Sequence, residues 1–292
     1  MAPADRSWLE AALVNWQRAA IEELRLPDAP LPEIYAIDAV CTFTLPAGDI
    51  AAMQGERHGG QVELPNGEKA PLGPISFAFD RDRFVMSLPS VWRAAGVTSE
   101  LGLERLMTGV LLHEIMHTRQ SRLAADLLDP IAAAHGLEKT LSDDLLQQTF
   151  EEDRAYAAAY REELNTLFAA AAAPDEAAAR GLAAHALHMM RARRARWLTG
   201  PNAYFAELDD IFLTMEGMGQ WLIYRHFVSR EGGSIPPDQA LAAVRRGGRW
   251  WSQDQGLALM LVVDRLLPDW QQRAFRDPDW RAERLLAAAV KR

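Results

Sequence analysis

At 292 residues, 49% hydrophobic and 24% charged, the chain can bury one large core or two modest ones and has an ordinary globular balance. Its net charge of −9 argues against a general nucleic-acid surface, and its single cysteine, Cys41, excludes an intrachain disulfide and a cysteine-built metal site. No apolar run approaches the ~18 residues of a membrane span, and Asp5, Arg6, Glu10 and Arg18 interrupt any signal-like apolar region near the start. These features predict a cytoplasmic protein, or the mature form of a secreted one whose leader has been removed.

Residues 7–24 read as an amphipathic helix, with Ser7 as N-cap and Trp8, Leu9, Leu13, Trp16, Ala20 and Leu24 on its apolar face. Pro27, Pro30 and Pro32 end it. The stretch 33–45, dense in Ile, Tyr, Val, Phe and Thr, reads as a strand. Residues 61–64 lead into a Pro65-Asn66-Gly67-Glu68 turn, and 75–79 and 83–88 are strands around Asp80-Arg81-Asp82. A small, largely antiparallel sheet is therefore expected before residue 90.

Beyond that point the pattern is helical. Leu103, Leu106, Met107, Val110, Leu111, Ile115 and Met116 recur at helical spacing, which predicts a mostly buried helix over 98–126. Further helices are expected over 141–172, over 176–198 behind an Asp175 cap, over 206–229, from Asp238 to about 246, over 256–267, and from Asp279. The fold class is α+β and predominantly α-helical. Residues 1–90 carry a helix and a small sheet, 91–292 form a helical bundle, and the whole reads as a single domain over 1–292.

Inside the 98–126 helix stands His113-Glu114-Ile115-Met116-His117. Histidines four apart face the same way, so both imidazoles can hold one Zn²⁺, and the carboxylate of Glu114 can serve as general base toward water. Zinc lowers the pKa of its water to about 7, which suits a carboxylate base. The plain alternative is a pair of satisfied core histidines.

A third protein ligand is expected. Glu216 is one candidate, an acid in an apolar helix flanked by Gly217 and Gly219, which would let a metal or another backbone come close. Glu152 is another, on the helix after the metal helix, although it can simply pair with arginines. The third is the pair His185 and His188, whose neighbours Met189 and Met190 suggest packing instead.

The His113–His117 motif followed by Met215-Glu216-Gly217-Met218-Gly219-Gln220-Trp221 resembles the zincin metallopeptidases of the gluzincin type. The resemblance implies a short sheet before the metal helix, zinc held by His113, His117 and Glu216, activation of water by Glu114, and a peptide or protein substrate. The run Arg191–Arg196 and the segment from Gly256 to Pro268 resemble those of poorly characterised bacterial members. About a hundred residues separate the two motifs, and Met215 stands where the aminopeptidases carry Asn, so aminopeptidase specificity is not implied.

Such enzymes stabilise an oxyanion with a Tyr, His or Arg donor. Tyr224, two turns beyond Glu216, is the candidate here. His226, Tyr156 and Tyr160 are alternatives, and Gln120, one turn past His117, can contact a ligand. The arginines at 191, 193, 194 and 196 read as a solvated, charge-paired face, or functionally as recognition of a substrate carboxylate or a clamp on Glu151 and Glu152. Trp250, Trp251 and Trp270 read as packing, and Cys41 as an inert core residue. Three readings compete: a zinc-dependent hydrolase, most simply a metallopeptidase; a zincin-fold binding or regulatory protein without turnover; and a helical interaction protein with a chance motif. No nucleic acid and no membrane span are expected.

Overall fold

A computed structural model describes residues 1–26, 30–64, 67, 69–79, 82–120, 124–245, 247 and 249–291. Pro27, the Pro65-Asn66-Glu68 part of the expected turn, Asp80-Arg81, and the expected helix end at 246 lie outside the described residues. The fold is α+β and mostly helical, with a small mixed sheet. The chain divides into two compact units, one of residues 1–121 and 222–244, the other of 122–221 and 245–292.

The first unit opens with helix α1 (Pro3–Glu22), which starts earlier than Ser7 because Pro3 occupies its first turn, a position that needs no N–H donor. Strands β1 (Glu33–Ile37) and β2 (Cys41–Leu45) replace the single expected strand. The break is local chemistry: Asp38 Oδ1 accepts from the backbone N–H of Val40 at 2.8 Å and of Cys41 at 2.7 Å, which folds the chain back on itself. Strands β3 (Gln54–Arg57), β4 (Val62–Glu63), β5 (Lys69–Ala70), β6 (Ser76–Phe79) and β7 (Arg83–Ser87) follow.

The main sheet has the order β3-β2-β1-β7-β6, with β4 and β5 as a separate hairpin. All its pairings are antiparallel except β1 with β7, which run parallel from Glu33↔Arg83 to Ile37↔Ser87. Tyr35, Ile37, Phe79 and Val85 form an apolar cluster on one face with Val62, Leu64 and Ala70 of the hairpin. The alternate residues Ile34, Ala36, Phe84 and Met86 are equally buried, so the sheet is covered on both faces.

Helix α2 (Pro89–Ala94) leads to α3 (Leu103–Arg119), which packs on β6, β7 and α1. Trp8 of α1 donates its indole N–H to the carbonyl of Glu104 and the hydroxyl of Thr108, both at 3.1 Å. One helix of the second unit, α8 (Tyr204–Val228), continues into the first, and its residues from Leu222 onward lie against α3. Gly109 makes that approach possible: a Cβ there would stand 2.8 Å from Ile223 and 3.3 Å from Phe227.

The second unit contains α4 (Asp129–His135), α5 (Leu145–Phe150), α6 (Arg154–Ala171), α7 (Glu176–Trp197), the first part of α8, α10 (Trp251–Leu266), α11 (Trp270–Ala274) and α12 (Ala282–Lys291); α9 (Pro237–Val244) belongs to the first. The expected 141–172 helix is thus two. Asp153 starts the second by accepting from the N–H groups of Ala155 and Tyr156, and Asp175 caps α7 as expected by accepting from Ala178 at 2.8 Å. Helix α6 packs on α7 and α10.

The arginine run is not a solvated face. Arg193 and Arg194 are buried, and only Arg191 and Arg196 face outward. Arg193 donates to Glu163 at 2.8 Å, to Asp209 at 3.2 Å and to the Tyr156 hydroxyl at 2.6 Å; Arg194 donates to Asp209 at 2.9 Å. Burial works to raise the Asp209 carboxyl, and the two guanidinium groups outweigh it and hold it below its usual value. Glu151 and Glu152, the partners in the alternative clamp reading, are not among the partners of Arg193 and Arg194. Removing one member of such a cluster strands the others in an apolar interior. Arg193→Met is expected to cost about 3–5 kcal/mol of unfolding free energy in urea titration. A loss under about 1 kcal/mol would show that the cluster is solvated.

Candidate metal centre

Helix α3 places His113 and His117 one turn apart on one face. Their ring centroids are 4.5 Å apart with planes at 83°. His113 is 6% exposed and Glu216, on α8, 7% exposed. Each of His113, His117 and Glu216 offers a ligand atom within 4.8 Å of the others, and this is the one such group among the described residues. Ligand atoms about 2.0–2.1 Å from a tetrahedral ion lie about 3.4 Å apart, so shifts well under a rotamer change close the group on a metal. Two imidazoles and a carboxylate leave an open position on such an ion.

The neighbours are set by short bonds. The Nδ1–H of His117 donates to Oε1 of Gln120 at 3.1 Å, which leaves Nε2 to carry the lone pair. Gln120 is itself 3% exposed, so the contact is held in the core. Oε2 of Glu114 accepts from the backbone N–H of Ala78 at 3.1 Å. Ala78 lies on β6, the edge strand next to α3, and its N–H points out of the sheet to reach Glu114.

No family model, curated protein or solved structure matches the chain. The gluzincin resemblance therefore rests on the residues themselves.

The glycine after Glu216 lets another backbone come close, one of the two uses expected of it. That backbone is α10's: a Cβ on Gly217 would stand 2.6 Å from the carbonyl oxygen of Gly256, and one on Gly256 would stand 2.6 Å from Cα of Gly217. The two helices touch backbone to backbone directly beside Glu216.

The remaining candidates are dispersed. Glu152 is exposed ahead of α6, makes no ion pair among the described residues, and lies outside the ligand group. His185 and His188 are exposed on α7. Tyr156 is buried against Arg193, and Tyr160 donates its hydroxyl to the carbonyl of Trp251 at 2.5 Å, so neither is an oxyanion donor. Trp251 and Trp270 are packing residues as expected: one stacks on Tyr160 at 4.4 Å, the other meets Trp221 edge-on at 5.0 Å. Trp250 is 39% exposed, and Cys41 is only half-buried. Tyr224 is half-buried on α8.

His226 faces a small cavity lined by Asn15, Arg18 and Ala19 of α1. Burial, helped by Arg105, lowers its pKa to about 4. The folded state therefore keeps His226 neutral while the unfolded chain takes up a proton below about 6.5, so its stabilising contribution is lost as pH falls from about 6.5 to about 4. Wild type is expected to lose about 2–3 kcal/mol over that window from this residue, and His226→Gln to lose correspondingly less. Equal pH slopes for the two proteins would contradict it.

Two further polar residues lie near Glu216. Asp144, at the start of α5, has its carboxyl raised by burial, with Glu216 and Glu151 adding to the shift. Gln220, one turn beyond Glu216, is 1% exposed. The signal for Gln220 was present in Glu216-Gly217-Met218-Gly219-Gln220, a second polar side chain on the same stripe of an apolar helix.

Proposed function

We propose that the protein is a zinc-dependent hydrolase, a metallopeptidase acting on a peptide or protein substrate. The observation that carries the reading is the gathering of His113, His117 and Glu216 within 4.8 Å, with the carboxylate of Glu114 next to the first of them in sequence. The donor set fits a divalent zinc ion with a position left for substrate or water.

His113, His117 and Glu216 would hold the ion. When bound, it supplies Lewis acidity toward a substrate carbonyl and toward water. Glu114 takes the proton that water loses and returns it to the leaving amine, so one carboxylate serves as base and then as acid. The Ala78 N–H donates to Oε2 and orients the carboxylate. Gln120 keeps the His117 ring in the tautomer a metal needs. Tyr224 is the proposed donor to the oxyanion that forms on carbonyl addition. No described helix is long and apolar enough to cross a membrane.

The test is metal analysis of protein purified without added zinc, followed by incubation of the loaded protein with a broad peptide library. About one zinc per chain with cleavage supports the reading. Zinc without cleavage supports a zincin-fold binding or regulatory protein instead, and absence of metal supports a chance motif.

A further inference from the structure

Strand β3 closes the main sheet at the edge opposite β6, and each of its residues is exposed. Its hydrogen bonding follows from register. The His58 N–H donates to the carbonyl of Val40 at 3.2 Å, and the pairing continues without a bulge from Cys41↔Arg57 to Thr44↔Gln54. Hydrogen-bonded pairs alternate along an antiparallel ladder, so Glu56 and Gln54 turn their main-chain groups toward β2. Gly55 and Arg57 turn theirs outward, where these groups have no hydrogen-bond partner among the described residues. Such a row is a template for another strand.

Side chains alternate as well. Glu56 is opposite Thr42, on the face where a cleft of about 590 Å³ opens between the main sheet and β4. Tyr35 and Leu64, both buried, line its apolar part. Glu56 from β3 and Glu63 from β4 also line it; both are exposed, and neither makes an ion pair among the described residues. The chain between them is pinned by His58. Its Nδ1 accepts from the Gly60 N–H at 3.1 Å, which puts the ring proton on Nε2 for donation to the Asp38 carbonyl at 3.0 Å. Arg57 reaches the rim of the cleft from the opposite face of β3.

We propose that the outer edge of β3 docks an extended basic peptide segment, which adds a strand to the sheet and lays a lysine or arginine into the cleft beside Glu56 and Glu63. Main-chain bonds to Gly55 and Arg57 supply affinity for any extended chain, and the two carboxylates select the basic side chain. A peptide residue paired with Glu56 points to the same face of the sheet, which carries its side chain over the cleft. The site needs no metal and is independent of the hydrolase reading.

The test is fluorescence anisotropy on the full chain in the presence of chelator, with a labelled hexapeptide of alternating Thr and Lys and its Thr–Glu counterpart. The Lys peptide is expected to bind at least ~10-fold more tightly than the Glu peptide. Glu56→Gln combined with Glu63→Gln should weaken the Lys peptide about 3–20-fold and narrow the gap between the two. Arg57→Pro removes one outward N–H from an edge strand, a position that tolerates proline, and should weaken the Lys peptide about 2–10-fold relative to Arg57→Ala, which keeps that donor. A readout that needs no variant is amide exchange: bound Lys peptide should slow exchange at Gly55 and Arg57 about 10-fold or more. The proposal is overturned if the Lys peptide does not bind at millimolar concentration, if the double Gln variant discriminates as wild type does, or if exchange at Gly55 and Arg57 is unchanged with peptide bound. A chain that takes up no zinc yet binds the Lys peptide in this way keeps the proposal and loses the hydrolase reading.

Discussion

Replacing His113 or His117 by alanine is expected to abolish zinc retention through gel filtration and to weaken affinity at least ~100-fold in chelator competition. Each replacement removes one of the three proposed ligands, a larger loss than the 10–100-fold typical of a residue that only orients a ligand. Glu216→Ala should fall in the same class. Glu152→Ala should not, because Glu152 is exposed and outside the ligand group. This ordering separates the two acids that the sequence left in competition. Circular dichroism of the metal-free variants separates loss of a ligand from loss of the fold. Full zinc retention in either histidine variant would sink the assignment, and a Glu152→Ala loss exceeding that of Glu216→Ala would move the third ligand to the segment before α6.

The site was more legible in the sequence than the cores were. His113 and His117 announce themselves by spacing, and helix geometry alone makes them neighbours. Glu216 was legible for a different reason, since an acid with glycines beside it in an apolar helix needs an explanation. What the glycine does was not legible, because its partner Gly256 is on another helix. Gly109 is illegible for the same reason: a side chain there would meet Ile223 and Phe227, more than a hundred residues on. The arginine run shows the limit most clearly. Four arginines in six residues look like surface, yet consecutive residues point around the helix, and Arg193 and Arg194 point inward to Glu163 and Asp209. Nothing local reveals a partner thirty residues away. The parallel pairing of β1 with β7 likewise depends on a long connection, whereas antiparallel neighbours follow from short turns.

Glu114→Gln is expected to lower peptide turnover by about 10²–10⁴-fold while leaving zinc content and melting temperature close to wild type. The structure explains why the two effects should separate. Glu114 meets the main chain through an oxygen that accepts from the Ala78 N–H, and a glutamine carbonyl accepts from the same donor in the same place. The variant therefore keeps the rotamer that β6 imposes. It loses only the capacity to take a proton, because an amide is not a base at neutral pH. Glu114→Ala is a poorer probe, since it also leaves the Ala78 N–H without its carboxylate partner. The measurement is turnover of the best library peptide by zinc-loaded protein, with metal content determined on the same sample. Retention of more than about a tenth of wild-type turnover would show that proton transfer runs through another group. Loss of zinc along with activity would show that Glu114 acts on the metal site's structure, and the role assigned to the β6 edge, orienting a carboxylate that takes a proton, would fall with it.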